Sequence, residues 1–124
     1  GIEGFMATSD LQRVAEYIDQ YLPEIYYVNS EPGCVDIMAS GVSKWRGIKI
    51  LAESLNIAHE DILTVGNYYN DIDMLQHAGV GIAVANSLPE VKDVADFVTE
   101  YDNNHDAVAE IISKMLHHEY DMIK

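Results

Sequence analysis

The chain has 124 residues, of which 48% are hydrophobic, and this content predicts a packed globular fold rather than a disordered chain. Its 21 acidic residues outnumber 7 Lys and Arg, and the net charge of -14 excludes nucleic acid as an expected partner because phosphate backbones would be repelled. Cys34 is the one cysteine, so no internal disulfide is expected, and no apolar run approaches the roughly 18 residues of a membrane span. We therefore expect a cytoplasmic protein with no membrane contact. Residues 1–6 lack the features of a signal peptide, and we interpret them as a remnant or a cut point.

The amino-terminal third of the chain predicts a helix followed by a β-hairpin. Residues 8–9 can cap the helix, Pro23 ends it, and its apolar residues recur at helical spacing: Leu11, Val14, Ala15, Ile18 and Leu22. Residues 24–30 are rich in Tyr, Ile and Val, and residues 34–38 resume an extended pattern after a Pro-Gly turn. An α+β arrangement is therefore expected for residues 1–40.

A second helix is expected after Gly41. Ser43 can cap this helix and Asn56 suits its carboxyl end. Its predicted buried residues are Ile48, Leu51, Ala52 and Leu55. Lys44 then lies in the first turn of the helix.

The rest of the chain alternates apolar strands with helices. Strands are predicted over residues 62–66, 79–85 and 95–99, and a short helix opens at the Ser-x-x-Glu capping spacing of residues 87–90. Two further helices, one after the first strand and one at the end of the chain, have these apolar residues: Ile72, Leu75, Ala78, Val108, Ile111, Ile112 and Met115. This alternation predicts the α/β class, with a Rossmann-like parallel sheet covered by helices and joined by right-handed crossovers.

Polar residues follow the first of these strands directly. The strand over residues 62–66 is apolar along its whole length, as is typical of a strand buried on both faces of a parallel sheet. Such sheets hold their ligands at the carboxyl ends of the strands, where Asn67, Asn70 and Asp71 lie in this sequence. We therefore expect a ligand site at this edge, although Asn and Asp also satisfy backbone groups in ordinary turns.

Four sequence blocks with matching order and spacing resemble one known family. The blocks are Gly-Val-Ser-Lys at 41–44, Gly-Asn-Tyr-Tyr-Asn-Asp-Ile-Asp-Met at 66–74, Ala-Gly-Val-Gly-Ile-Ala-Val-Ala-Asn at 78–86 and Val-Lys-Asp-Val-Ala-Asp at 91–96. Together they resemble the haloacid dehalogenase superfamily, and more narrowly its Cof-type sugar- and nucleotide-phosphate phosphatases. The resemblance covers nearly everything from residue 33 to residue 116.

The resemblance implies a Rossmann-like core with an inserted cap domain, which hydrolyses phosphate monoesters through an aspartyl-phosphate intermediate with magnesium (Mg2+). On this resemblance Lys44 is a catalytic residue that neutralises the phosphoryl group and the nucleophile, and Asn70 and Asn86 lie near the phosphate. Asp71 matches the second acid of the metal-binding loop, so the resemblance makes it a second catalytic residue and a metal ligand, and Asn67 occupies the first metal position. Asn86 also has an ordinary interpretation, as a cap of the helix that follows it.

One departure from the family pattern concerns the metal. Where the family usually has Gly-Asp, this chain has Gly66-Asn67, so a neutral amide replaces the carboxylate expected to coordinate Mg2+. An amide oxygen can still be a ligand, but it brings no charge to offset the dication. We therefore expect weakened metal binding.

The second departure is that the family's Asp-x-Asp nucleophile block and its Ser/Thr phosphate block have no match in this chain. A carboxylate nucleophile is what makes the covalent route possible, so this chain alone is predicted to be inactive. We interpret residues 1–40 as the end of the cap and residues 41–124 as the carboxyl-terminal half of the core. The nucleophile strand would lie beside the strand over 62–66, so that strand is expected to pair with the missing amino-terminal half or to self-associate.

Two other function classes share features with this sequence. A non-catalytic relative would bind a phosphorylated small molecule or a protein partner without depending on magnesium. A signalling receiver domain is disfavoured because its acidic residues precede its lysine, whereas Lys44 precedes Asn67 and Asp71 here. The sequence does not name a substrate.

Several remaining side chains have two interpretations each. Four tyrosines could define a substrate pocket or cover core edges: Tyr26, Tyr27, Tyr68 and Tyr69. His59, His77 and His105 are interpreted as surface residues, and a metal site at His117 and His118 is disfavoured because neighbouring residues on a helix point in different directions. Cys34 is interpreted as buried packing, since nothing nearby in the sequence would activate its thiol.

Overall fold

The computed structural model of the chain describes residues 2–5 and 8–121, which form two three-stranded sheets. The first sheet contains β1 (Ile2–Phe5), β2 (Ile25–Glu31) and β3 (Cys34–Ala39) in the antiparallel order β1-β3-β2, with α1 (Thr8–Tyr21) between β1 and β2. The predicted hairpin is confirmed. Residues 2–5 form β1, a role that their interpretation as a remnant did not anticipate. The predicted capping side chains at residues 8–9 lie outside what the structure describes.

The second sheet is parallel, as the alternating pattern predicts. Its strands are β4 (Leu63–Gly66), β5 (Val80–Ala83) and β6 (Phe97–Val98), in the order β4-β5-β6. The helices of this half are α2 (Lys44–Ser54), α3 (Ile72–His77), α4 (Pro89–Val94) and α5 (Ala107–Leu116), and single 3₁₀ turns lie at His59–Asp61 and Tyr69–Asp71. β6 is shorter than the predicted strand over 95–99. β4 lies at an edge of this sheet, among the described residues.

The core lies on both faces of the parallel sheet because successive strand residues point to opposite sides. On one face Ala83 packs with Leu75 of α3 and Val91 of α4. On the other face Ile82 packs with Ile111 of α5 and with Tyr120. The α/β architecture is therefore confirmed as a three-layer arrangement in this half.

The predicted buried faces of α2 and α5 are partly wrong. Leu51 and Leu55 are each 60% exposed, whereas Trp45, which was not predicted to be buried, is only 8% exposed. The Trp45 ring stacks on His77 at 5.7 Å between centroids and meets the edge of His59 at 5.0 Å, so these two histidines have packing roles. The physical reason is that α2 packs against α3, and the described residues do not cover the side of α2 that carries Leu51 and Leu55.

The same pattern holds on α5, where Ile111 is buried but Val108, Ile112 and Met115 are exposed. Both helices therefore present apolar faces that the described residues do not cover. Within the described part of the chain, no helix has the length and apolar character that crossing a membrane requires.

Candidate functional site

The carboxyl edge of the parallel sheet holds an ion pair between Lys44 and Asp71. Lys44 is the first residue of α2, whose start is fixed by Ser43: the Ser43 hydroxyl oxygen accepts a hydrogen bond from the backbone N–H of Arg46 at 3.1 Å. Asp71 ends the 3₁₀ turn that follows β4. The Lys44 Nζ lies 2.5 Å from the Asp71 Oδ1, although the two residues are 27 positions apart in the chain.

Asp71 is held more firmly than its lysine partner. Its Oδ2 accepts hydrogen bonds from the backbone N–H groups of Asn67, at 2.8 Å, and Tyr68, at 3.2 Å. The Asp71 side chain is 5% exposed, whereas that of Lys44 is 48% exposed. An ammonium group has three N–H donors, and among the described residues Asp71 is the acceptor for Lys44. A fixed carboxylate therefore orients a lysine that still has donors for a ligand.

Gly66 makes this arrangement possible. A Cβ at Gly66 would lie 2.8 Å from the Asp71 Cγ and 2.9 Å from its Oδ2, closer than real Cβ contacts occur. The Asp71 carboxylate therefore occupies space that any side chain at Gly66 would fill. The glycine at the strand end is a requirement of the site as well as a turn signal.

The structure places the three predicted asparagines around the same edge in different settings. Asn67 follows β4, and its backbone carbonyl accepts a hydrogen bond from the Leu88 N–H at 3.3 Å. Asn70 lines a cavity together with Lys44. Asn86 follows β5 and is exposed.

The ordinary interpretation of Asn86 as a helix cap is wrong. Its Nδ2 donates to the Asn103 Oδ1 at 2.7 Å and its Oδ1 accepts from the Asn103 N–H at 3.3 Å, while the cap residue of α4 is Leu88. The predicted capping role of Ser87 is also wrong. Pro89 at the first position starts α4, and the buried Ser87 hydroxyl instead donates to the Gly66 carbonyl at 3.2 Å.

A cavity of about 280 Å³ lies beside Lys44, between the antiparallel sheet and the 3₁₀ turn before α3. Lys44, Asn70 and Asp73 line it from the core side, and its other lining residues include Tyr26, Val28, Asp36 and Met38 of the hairpin. We call this space the Lys44 cavity.

Sequence reasoning missed Asp36 and Met38 as lining residues. Of the tyrosines, Tyr26 and Tyr69 line the Lys44 cavity, while the Tyr27 hydroxyl donates to the Asp19 carboxylate at 3.1 Å from α1. The sequence signal that could have identified the lining residues is the period-two alternation of the hairpin strands. It places residues 26 and 28 on one face of the sheet and residue 27 on the other.

Tyr69 lines the Lys44 cavity and contacts α4 through its hydroxyl group. Its hydroxyl lies 3.4 Å from the Glu90 Oε1, and the negative charge of Glu90 raises the pKa of the Tyr69 phenol. The phenol therefore remains neutral and acts as a hydrogen-bond donor at ordinary pH.

The described residues do not form a complete magnesium site by themselves. Among them, no group of three His, Cys, Asp or Glu side chains could hold a metal ion. The Asp71 carboxylate already accepts three hydrogen bonds, including one from a cation, and Asn67 offers only a neutral amide. Any magnesium bound at this edge needs ligands in addition to these two.

Comparison with known proteins identifies relatives over most of the chain. A family model of haloacid dehalogenase-like hydrolases matches residues 4–112. The chain is 34% identical over 89 residues to the 5-amino-6-(5-phospho-D-ribitylamino)uracil phosphatase YcsE of Bacillus subtilis, covering 72% of this chain and 35% of YcsE. It is 33% identical over 98 residues to phosphoglycolate phosphatase 1 of Saccharolobus solfataricus, covering 79% and 42% respectively.

A solved structure has the same fold. A haloacid dehalogenase-like hydrolase of B. subtilis superimposes with a TM-score of 0.81 at 29% identity, over 90% of this chain and 39% of that one. The chain thus spans about 35 to 42% of the length of these relatives.

Proposed function

We propose, because this chain belongs to the haloacid dehalogenase-like hydrolases of the Cof type, that it is part of a phosphomonoester hydrolase and that Lys44 binds the phosphoryl group. The single observation that carries this proposal is the Lys44–Asp71 pair, in which a buried and locked carboxylate presents a half-exposed ammonium at the carboxyl edge of a parallel sheet. Ligands bind at that edge in open α/β sheets.

In the proposed mechanism Lys44 supplies positive charge to the phosphoryl oxygens as negative charge builds up on them. Asp71 is a positioning residue: it orients Lys44 through Oδ1 and is itself held by two backbone N–H groups. The Asn70 amide, which lines the Lys44 cavity, can donate a hydrogen bond to the same phosphate, and Asn86 lies further along the edge.

We propose that the nucleophile is outside this chain, which is then inactive alone. Residues 1–40 would be the end of a cap domain and residues 41–124 the carboxyl-terminal half of the core. Two observations support the division: the chain spans about 35 to 42% of its relatives, and β4 is at an edge of the sheet. The expected partner is the amino-terminal half, or a second copy that pairs with the same edge.

Magnesium dependence is proposed only for the complete protein, with most ligands supplied from outside this chain. Bound Mg2+ would polarise the phosphoryl oxygens. Asn67 would contribute an amide oxygen at most, so we expect weaker metal binding than a carboxylate at that position would give.

The experiment compares this chain with the product of its complete reading frame, using p-nitrophenyl phosphate with and without Mg2+. The chain should bind inorganic phosphate without turnover, and the complete protein should hydrolyse the ester. Lys44→Ala should lower kcat/KM of the complete protein about 100-fold, as removal of a group that stabilises developing charge does. Lys49→Ala, an exposed lysine of the same helix, is the matched control. An unchanged kcat/KM in Lys44→Ala would refute the role of this lysine.

A second candidate is favoured by Asn67 alone: a non-catalytic relative that binds phosphate compounds or a protein. It predicts that phosphate raises the melting temperature of the complete protein equally with and without Mg2+, and that no turnover occurs. Hydrolysis by the complete protein would eliminate it.

A further inference from the structure

We propose that the Lys44 cavity selects phosphomonoesters whose organic part is neutral or carries an amine, and disfavours those with a second anionic group, with Asp36 as a specificity-determining residue. This inference rests on the proposed binding of the phosphoryl group by Lys44. It goes beyond family membership, because one relative named above is a phosphatase of a ribitylamino compound and another is a phosphatase of phosphoglycolate, which carries a carboxylate.

The hairpin builds the wall of the cavity opposite the core. In β2 and β3, Tyr26 pairs with Met38 and Val28 pairs with Asp36 across the strands. Because alternate strand residues share a face, these four side chains form one continuous surface, and all four line the Lys44 cavity. A ligand whose phosphate contacts Lys44 therefore extends its organic part over this surface.

The charges along that path are unbalanced. Lys44 is the one cation among the described lining residues, and it is paired with Asp71. Asp73, also in the lining, has His77 as its neighbour, with the His77 Nδ1 at 3.1 Å from the Asp73 Oδ1.

Asp36 forms no ion pair among the described residues, although it shares the cavity lining with Lys44. The Ser30 hydroxyl donates to its Oδ1 at 3.1 Å, and this neutral hydrogen bond leaves the charge of the carboxylate in place. A second anionic group would therefore meet a like charge, whereas an amine would meet a partner. At a separation of about 6 Å and an effective dielectric constant of about 40, a unit charge changes affinity about tenfold.

The test measures binding of three matched probes to the 124-residue chain by isothermal titration calorimetry, beside inorganic phosphate. The probes are glucosamine 1-phosphate, glucose 1-phosphate and glucuronic acid 1-phosphate, three pyranose phosphates whose sugar parts carry a positive, a zero and a negative charge. We expect affinity to fall in that order, about tenfold at each step.

Two variants identify the residue responsible. Asp36→Asn keeps the oxygen that accepts from Ser30 but removes the charge, so it should bring the three affinities to within about threefold of each other. Asp19→Asn is the matched control, because Asp19 also accepts from a hydroxyl, that of Tyr27, but is outside the Lys44 cavity lining. The control should retain the full order.

The outcomes separate this inference from the proposed function. If neither inorganic phosphate nor any probe binds, the role of Lys44 fails and the inference fails with it. If phosphate and all three probes bind with equal affinity, the phosphate site stands and the charge selection is refuted. An order that survives in Asp36→Asn refutes the role of Asp36.

Discussion

Two lysine–carboxylate pairs in this molecule have nearly the same construction and different surroundings. Lys44 contacts Asp71 at 2.5 Å, and Lys114 contacts Glu110 at 2.7 Å. Each carboxylate also accepts from two backbone N–H groups, and each is almost fully buried, at 5% and 6% exposure. By the geometry of the pair alone, both would qualify as a functional site.

The difference lies in what surrounds each lysine. Lys114 is four residues from Glu110 on the same helix, and its pair fixes α5 to the loop after β6 through the N–H groups of residues 100 and 101. Lys44 reaches across 27 residues, is half exposed and lines the Lys44 cavity together with the hairpin, whereas the cavity that Lys114 lines is formed by α5 and the segments on either side of it. A buried ion pair is thus weak evidence for a binding role, and its position in the fold carries the argument.

The largest change in stability is expected from Gly66→Ala, which tests whether the Asp71 side chain needs the space that the missing side chain of Gly66 leaves. The added methyl would overlap the Asp71 side chain, so we expect the free energy of unfolding to fall by about 3 kcal/mol or more. Urea denaturation of the chain measures it. Gly47→Ala is the control: it has open space and lies within α2, so it should stabilise by about 0.5–1 kcal/mol. Equal effects of the two substitutions would contradict the overlap.

The difference between the two lysine–carboxylate pairs is tested by measuring Asp71→Asn and Glu110→Gln side by side. Each removes one charge from a buried, hydrogen-bonded carboxylate, so each should cost about 1–3 kcal/mol of stability. Only Asp71→Asn should also weaken phosphate binding, because Lys44 lines the Lys44 cavity whereas Lys114 and Glu110 line a separate one beside α5. Calorimetry with inorganic phosphate provides the second measurement. Loss of phosphate binding in both variants would mean that the two pairs do not differ as described.

The pH dependence of stability tests the structural role of the Lys114–Glu110 pair. Burial alone would raise the pKa of Glu110, but hydrogen bonds from Lys114 and from the N–H groups of residues 100 and 101 outweigh it and lower that pKa below its usual 4.5. The pair therefore stabilises the fold above about pH 4.5, and this contribution is lost as pH falls through the lower pKa of the folded state.

At alkaline pH the contribution of the same pair to stability changes in the opposite direction, because Lys114 is the group that titrates there. The hydrogen bond to Glu110 raises the pKa of Lys114 above 10.5, so its contribution is complete below that pH and is lost as pH rises through the folded-state pKa. The melting-temperature difference between the unaltered chain and Glu110→Gln should be constant between about pH 5 and 9 and shrink below about pH 4. A difference that does not vary down to about pH 2 would contradict the lowered pKa.

The smallest expected effect is that of Asn67→Asp. A carboxylate beside the site adds one negative charge toward a dication, which should raise Mg2+ affinity about tenfold in a calorimetric titration. Asn86→Asp, at the end of the neighbouring strand, is the control and should change the affinity less. No gain in Asn67→Asp would mean that the side chain at position 67 does not face the metal.

The fold was predictable where local pattern and tertiary structure agree. The parallel sheet followed from apolar strands alternating with helices, and Asn56, with a φ of 56° after α2, has the left-handed conformation that its place at the helix end indicates. The blocks that carry the family resemblance marked Lys44 and Asp71 as site residues, but they did not predict the contact between the two, which joins residues 27 positions apart.

Other features depended on partners that a sequence pattern does not reveal. Helical spacing marks Leu51 and Leu55 as apolar, but it does not say what covers them, and in the described structure they are exposed. Asp36 lines the Lys44 cavity only because the hairpin packs over the turn at residues 69–71, a tertiary contact that no local pattern reveals. Ser87 has a capping spacing, yet the proline two residues later starts the helix instead.

The packing of Trp45 between two imidazole rings also has a spectroscopic consequence. Trp45 is the only tryptophan of the chain, it follows Lys44 directly, and its indole is buried against His59 and His77. Its emission should be blue-shifted in the folded state, because the indole is removed from water. The chain therefore contains a native fluorophore next to Lys44, through which ligand binding at the proposed phosphate site can be followed without a label.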